Sequence, residues 1–122
     1  MTKDIIRLVR DFPGLYLTGS RYFGTDTPQS DWDFFISESE ATNLPLHFSE
    51  VKGSEYNGDP VVTYILYSEI LNCHIQVIPD DLIEKKKRAQ EFIYRTSALC
   101  GVKDKYHAKA IWRAVLGALI AS

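Results

Sequence analysis

A chain of 122 residues has room for one compact core and little besides. Hydrophobic residues at 45% and charged residues at 25% are globular proportions, which argue against a disordered or fibrous chain. The net charge of −2 argues against generic polyanion binding, so any nucleic-acid contact requires a local basic patch.

Residues 2–12 are expected to form a helix, with Thr2 as N-cap and Ile5, Ile6, Leu8, Val9 and Phe12 on one face. Pro13-Gly14 ends it, and Leu15-Tyr16-Leu17-Thr18 reads as a short strand. A short helix opens at Ser20 and runs through Tyr22 and Phe23. GTDTPQS, residues 24–30, is turn chemistry throughout and reads as a loop. Residues 31–36 form a second strand, apolar except for Asp31 and Asp33, which implies burial on most sides. A weak helix over 39–43 follows a cap at Ser37 to Ser39. Leu46-His47-Phe48 is too short to assign, and residues 53–60 read as a second loop. VVTYILY (61–67) and NCHIQVI (72–78) are strands joined by a turn. A helix over 80–94 starts at Asp80 or Asp81, with Glu84 near the third position. Its Lys85, Lys86, Lys87 and Arg88 are expected on a solvated face, and Leu82, Ala89, Phe92 and Ile93 on the buried side. A last helix over 105–121 carries Ile111, Trp112, Val115, Leu116, Leu119 and Ile120. The order implies a single α+β domain over 1–122, an α/β two-layer arrangement of about four strands in a small mixed sheet with helices packed on it. Its core lies at about 5–80, followed by helices at about 80–95 and 105–121.

Cys73 and Cys100 stand in unrelated contexts without metal-ligand spacing, so reduced thiols in a cytoplasmic protein are expected. The opening MTKDIIRLVRDF lacks a signal peptide's apolar run. The apolar stretch from Ala114 to Ala121 is shorter than the roughly 20 residues needed to span a bilayer, so no membrane contact is expected.

The chemistry concentrates between Leu15 and Ile36. Gly19-Ser20 follows an apolar strand, and ten residues separate Ser20 from Asp31. Asp31 and Asp33, two apart on a strand, project from one face. A glycine and a hydroxyl at a turn leave backbone N–H groups room to meet an anion. Carboxylates among Trp32, Phe34, Phe35 and Ile36 are costly to bury without a cation, so the pair points to a metal-and-phosphate site.

Thr18-Gly19-Ser20, ten residues, then Asp31-Trp32-Asp33-Phe34 resembles the signature of the polymerase-β-type nucleotidyltransferase superfamily. The likeness covers about residues 5–80, and the size is similar to its minimal single-domain members, viral (phage-like) ones among them. The resemblance implies the nucleotidyltransferase fold, a divalent cation (Mg²⁺, or Mn²⁺) held by Asp31 and Asp33, and an ATP-type nucleotide gripped by Gly19 and Ser20. Arg21 would neutralise phosphate charge. The implied reaction passes a nucleoside monophosphate from an NTP to an acceptor hydroxyl on RNA, protein or a small molecule, releasing pyrophosphate.

The family's third acid comes from a later strand, and here Gln76 occupies the expected position, with His74 on the same face. An amide oxygen can ligate a hard cation but brings no charge and cannot act as a base. His74 is the candidate proton acceptor. Glu69 and Asp59 are further acids in the region, without the strand context. The missing carboxylate leaves a second expectation open: a catalytically degenerate copy of the fold that acts by binding, as an antitoxin or a viral inhibitor of a host protein or RNA. Ile111 and Ile120 widen the apolar arc of the last helix, which is expected to suit a protein partner or a homodimer. The basic run at 85–88 is a secondary candidate for steering an NTP or RNA.

Overall fold

The structure, a computed structural model, describes residues 3–51, 61–96, 101–102 and 104–121. The expectations placed on Thr2, the loop at 53–60, Asp59 and Cys100 lie outside these residues. In chain order the elements are α1 (Lys3–Asp11), β1 (Tyr16–Thr18), α2 (Ser20–Phe23), β2 (Trp32–Ser37), α3 (Glu38–Ala41) and β3 (Ser49–Val51). They continue with β4 (Tyr64–Ser68), β5 (Cys73–Ile78), a 3₁₀ turn (Asp80–Leu82), α4 (Ile83–Arg95) and α5 (Lys105–Ala121). The strands form one mixed sheet in the order β1-β2-β5-β4-β3, with β2 and β5 parallel at its centre and the other pairs antiparallel. The α+β class with helices packed on a mixed sheet is thus what the residues form.

The alternation of side chains divides the core in two. Phe34, Ile36, Ile75 and Val77 face α1, where Ile5 and Leu8 close the layer. Phe35 and Ile78 face the opposite way and pack with Ile83 and Ala89 of α4 and Leu116 of α5. Both central strands are covered on two faces, which accounts for the nearly unbroken apolar run of β2: Phe34, Phe35 and Ile36 are at most 3% exposed. The side chains of Asp33, His74 and Gln76 belong to the α4/α5 side, because Asp33 pairs with His74 and Phe35 with Gln76.

Four sequence expectations are corrected. The sheet has five strands rather than four. The extra strand, β3, exposes Ser49 and Glu50 at the sheet edge and so lacks the apolar alternation that marks a strand. Strand β4 begins at Tyr64 rather than Val61, although Thr63 still donates its N–H to Val77 O at 2.9 Å. The aspartates before α4 do not cap it: Asp80 instead turns to Ser39, whose side chain first and whose N–H at 3.1 Å second hold its carboxyl below the usual range, and the helix starts at Ile83. Finally, the buried stripe of α4 is Ile83, Lys86, Ala89, Gln90 and Ile93, while Phe92 is exposed. Lys86 is buried because Gln76 on β5 offers its ammonium an amide oxygen at 2.6 Å and the rings of Phe35 and Trp112 flank it at 5.4 and 5.1 Å. Lys85 and Lys87 are also engaged, with Ile120 O and with Glu84.

Candidate metal centre

Three segments meet at one end of the β2–β5 seam. Trp32 donates its N–H to Asn72 O at 2.9 Å, tying the residue after Asp31 to the residue before β5. Asn72 adopts a left-handed conformation, φ 49°, which asparagine tolerates better than most side chains. From there the parallel register carries Asp33 opposite His74. His74 Nδ1 lies 2.7 Å from Asp31 Oδ2 and 3.7 Å from Asp33 Oδ1. The Tyr67 ring, opposite His74 on β4, packs against the imidazole with centroids 4.5 Å apart and fixes its plane.

Asp31, Asp33 and His74 form a group that can hold a metal ion, with one donor atom from each and all three within 4.8 Å of one another. A divalent ion with ligand bonds of about 2.0–2.2 Å separates neighbouring ligand atoms by roughly 3.0–3.5 Å. The observed 2.7 and 3.7 Å bracket that range, so side-chain adjustments of a few tenths of an ångström seat an ion. Electrostatics favours it as well. Burial, followed by the neighbouring Asp31 carboxylate, pushes Asp33 up from the ordinary 3.8 to about 6, with His74 and Arg21 acting in the opposite direction. A cation between the carboxylates removes that repulsion.

Gly19 belongs to the same site. Its φ of 72° is left-handed, and a Cβ there would stand 2.6 Å from Asp33 Oδ2. Only glycine lets the β1–α2 turn approach the carboxylate this closely. Ser20 opens α2, which is held in place by aromatic contacts: Tyr22 with Tyr94 of α4 at 5.5 Å, and Phe23 with Trp112 of α5 at 6.4 Å. Gly19, Ser20 and Asp31 line an open cleft of about 800 Å³, together with Thr25, Thr27 and Ser30 of the loop and Lys109 and Trp112 of α5. That volume is ample for a nucleotide-sized ligand.

The remaining sequence candidates fall elsewhere. Gln76 lies two residues beyond His74 on the same strand, and its oxygen accepts from Lys86 Nζ at 2.6 Å. Arg21 is turned onto the loop. Its guanidinium donates to Ser30 O at 2.5 Å, to Asp31 O at 3.3 Å and to Asp26 Oδ2 at 3.2 Å, and it lies 4.1 Å from the centroid of the Trp32 ring. It therefore clamps the 26–31 segment and orients the backbone that carries Asp31. Glu69 is exposed and outside the donor group. Cys73, beside the site on the opposite face, is buried, and desolvation pushes its thiol up to about 12. Two contributors were not singled out from the sequence: Lys109, whose signal is only that of an exposed helix lysine, and Tyr67, which β-strand alternation places on the face of His74. Among the described residues no helix is long and apolar enough to cross a membrane.

No known protein-family description, curated protein or solved structure matches this chain.

Proposed function

We propose that this protein is a nucleotidyltransferase-like domain that binds a divalent cation, Mg²⁺ or Mn²⁺, together with an NTP, and transfers the nucleoside monophosphate to an acceptor hydroxyl. The observation that carries the reading is that Asp31 and the Gly19-Ser20 turn line one cleft, while Asp33 stands against Gly19 and groups with Asp31 and His74. The residues that would hold the cation are Asp31, Asp33 and His74. Bound there, a cation offsets the negative charge of the phosphates and of the leaving pyrophosphate. Gly19 keeps the turn open beside Asp33, Ser20 offers a hydroxyl to phosphate oxygens, and Arg21 acts at one remove by holding the loop. In the reaction the acceptor oxygen bonds to the α-phosphorus. The bond from that phosphorus to the bridging oxygen breaks, pyrophosphate leaves with the electron pair, and the hydroxyl proton passes to solvent. An imidazole nitrogen that ligates a cation has no lone pair left for a proton, and the position of Nδ1 between the carboxylates favours the ligand role.

The test is incubation with labelled NTP, divalent cation and candidate acceptors. Release of pyrophosphate that disappears in Asp31→Ala and Asp33→Ala supports the reading. Unchanged nucleotide binding in the double variant overturns it. One observation favours a second reading, a binding protein built on the same site: the donor group found among the described residues has two carboxylates, and Gln76 is committed to Lys86. NTP binding without pyrophosphate release from any acceptor favours that reading.

A further inference from the structure

We propose that the centre formed by Asp31, Asp33 and His74 is a mixed oxygen–nitrogen site that selects Mn²⁺ over Mg²⁺, with the selectivity residing in the imidazole of His74. The inference rests on the reading that a cation occupies this site and goes beyond it in assigning the ion. Three features of the chain support it. The donor set is two carboxylates and one ring nitrogen. Mg²⁺ is a hard ion that takes oxygen ligands and gives up its waters reluctantly; Mn²⁺ shares the preference for carboxylates but, as a transition ion, accepts an imidazole nitrogen better than Mg²⁺ does, though less well than the later transition ions. The nitrogen is also well placed: Nδ1 lies 2.7 and 3.7 Å from the two carboxylates, so an ion bridging Asp31 and Asp33 meets it directly. Finally, the ring cannot easily turn away. Tyr67 packs on it at 4.5 Å, and its strand position is set by pairing with Asp33 on one side and Tyr67 on the other. Retracting the nitrogen to let a water take its place would break that packing.

Among the described residues no further carboxylate joins the group. Gln76, the nearest polar candidate along β5, is held by Lys86 at 2.6 Å. The site thus presents a nitrogen where an all-oxygen centre would present a third carboxylate. Two carboxylates and a neutral ring also neutralise one divalent ion and leave no charge over for a second. The centre is accordingly a single-ion site before nucleotide arrives.

The experiment titrates the full chain with Mn²⁺ and separately with Mg²⁺, with and without a non-hydrolysable NTP, by calorimetry and by the paramagnetic resonance of free Mn²⁺. The wild-type protein is expected to bind one Mn²⁺ more tightly than Mg²⁺, and His74→Asp to reduce the Mn²⁺-to-Mg²⁺ affinity ratio by about tenfold. Pulsed paramagnetic resonance of wild-type protein carrying ¹⁵N-histidine gives an independent readout, with expected coupling between Mn²⁺ and one directly bound nitrogen. This measurement needs no variant and stands even where three adjacent carboxylates prevent His74→Asp from folding. Mn²⁺ bound without nitrogen coupling, or a ratio unchanged by His74→Asp, overturns the ion assignment and leaves the transferase reading intact. Failure of both ions to bind, with and without nucleotide, overturns the site and the proposed function together.

Discussion

Asp33→Asn is expected to make the metal-free protein more stable at neutral pH while abolishing its response to divalent cations. Asp33 titrates at about 6 in the folded chain against an ordinary 3.8, chiefly because burial disfavours its charged form and secondarily because Asp31 repels it. For an acid whose folded value is raised, the native state holds the proton more tightly than the unfolded chain. Its contribution to stability is therefore fully present below about pH 4 and is lost as pH rises through about 6. The difference between 3.8 and about 6, at 1.36 kcal/mol per tenfold change in equilibrium, amounts to about 3 kcal/mol. The side chain is 26% exposed, so solvent screening lowers the expected gain to about 1–3 kcal/mol. Asparagine has nearly the same shape and no charge to desolvate. Urea unfolding in the presence of EDTA measures the effect: at pH 7.5 the variant should exceed wild type by that amount, and near pH 4 the two should converge. Added Mn²⁺ should stabilise wild type and leave the variant unmoved, and the wild-type ion affinity should fall as pH drops below about 6, where the proton competes for Asp33. A variant less stable than wild type at pH 7.5 without metal would refute the premise that Asp33 is held ionised at a cost.

Gly19→Ala should cost about 2–3 kcal/mol in urea unfolding and eliminate the cation response, since it strains a φ of 72° and drives a Cβ to 2.6 Å from Asp33 Oδ2. Retention of full stability would show that the turn is not as close to the carboxylate as described. Arg21→Ala removes three hydrogen bonds and the stacking on Trp32, so limited proteolysis should cut within residues 24–30 faster than in wild type. An unchanged cleavage rate there would mean that the loop does not depend on the clamp. Gln76→Glu, which nominally restores a third acid, should not strengthen Mn²⁺ or Mg²⁺ binding in calorimetry, because Lys86 Nζ at 2.6 Å captures the new carboxylate in a buried ion pair. A clear gain in Mg²⁺ affinity would place that side chain at the metal after all.

Where the sequence and the structure agree, the information is local. The Gly19-Ser20 turn, the ten-residue spacing from Ser20 to Asp31 and the step of two from Asp31, just before β2, to Asp33 all sit within a single stretch. Each is dictated by nearest neighbours: a glycine for positive φ, turn formers between 24 and 30, and a period of 2 along β2. The two edges of that stretch were legible for the same reason, since Pro13-Gly14 and Ser37 punctuate it. What was not legible is the relation between stretches. His74 and Gln76 share a face, so periodicity alone cannot say which of them meets the carboxylates. That choice belongs to the register of β2 on β5, where Asp33 falls opposite His74 and Phe35 opposite Gln76. A strand shifted by two residues would keep every side chain on its face and exchange the two roles.

Lys86 illustrates the same limit from the helix side and connects the parts of the site. Four consecutive basic residues read as a wet helix surface, because burying an ammonium is costly without a partner. A partner is Gln76, which is distant in periodic terms and becomes visible only when α4 is laid across β5. The pairing has a consequence for the centre next to it. Gln76 directs its oxygen to Lys86, and the side chain of β5 that stands opposite Asp33 is the imidazole of His74. The buried lysine and the histidine beside the carboxylates are therefore two sides of one arrangement. The lysine engages the amide oxygen of Gln76, and the histidine is the residue of β5 that brings a ring nitrogen to the two carboxylates.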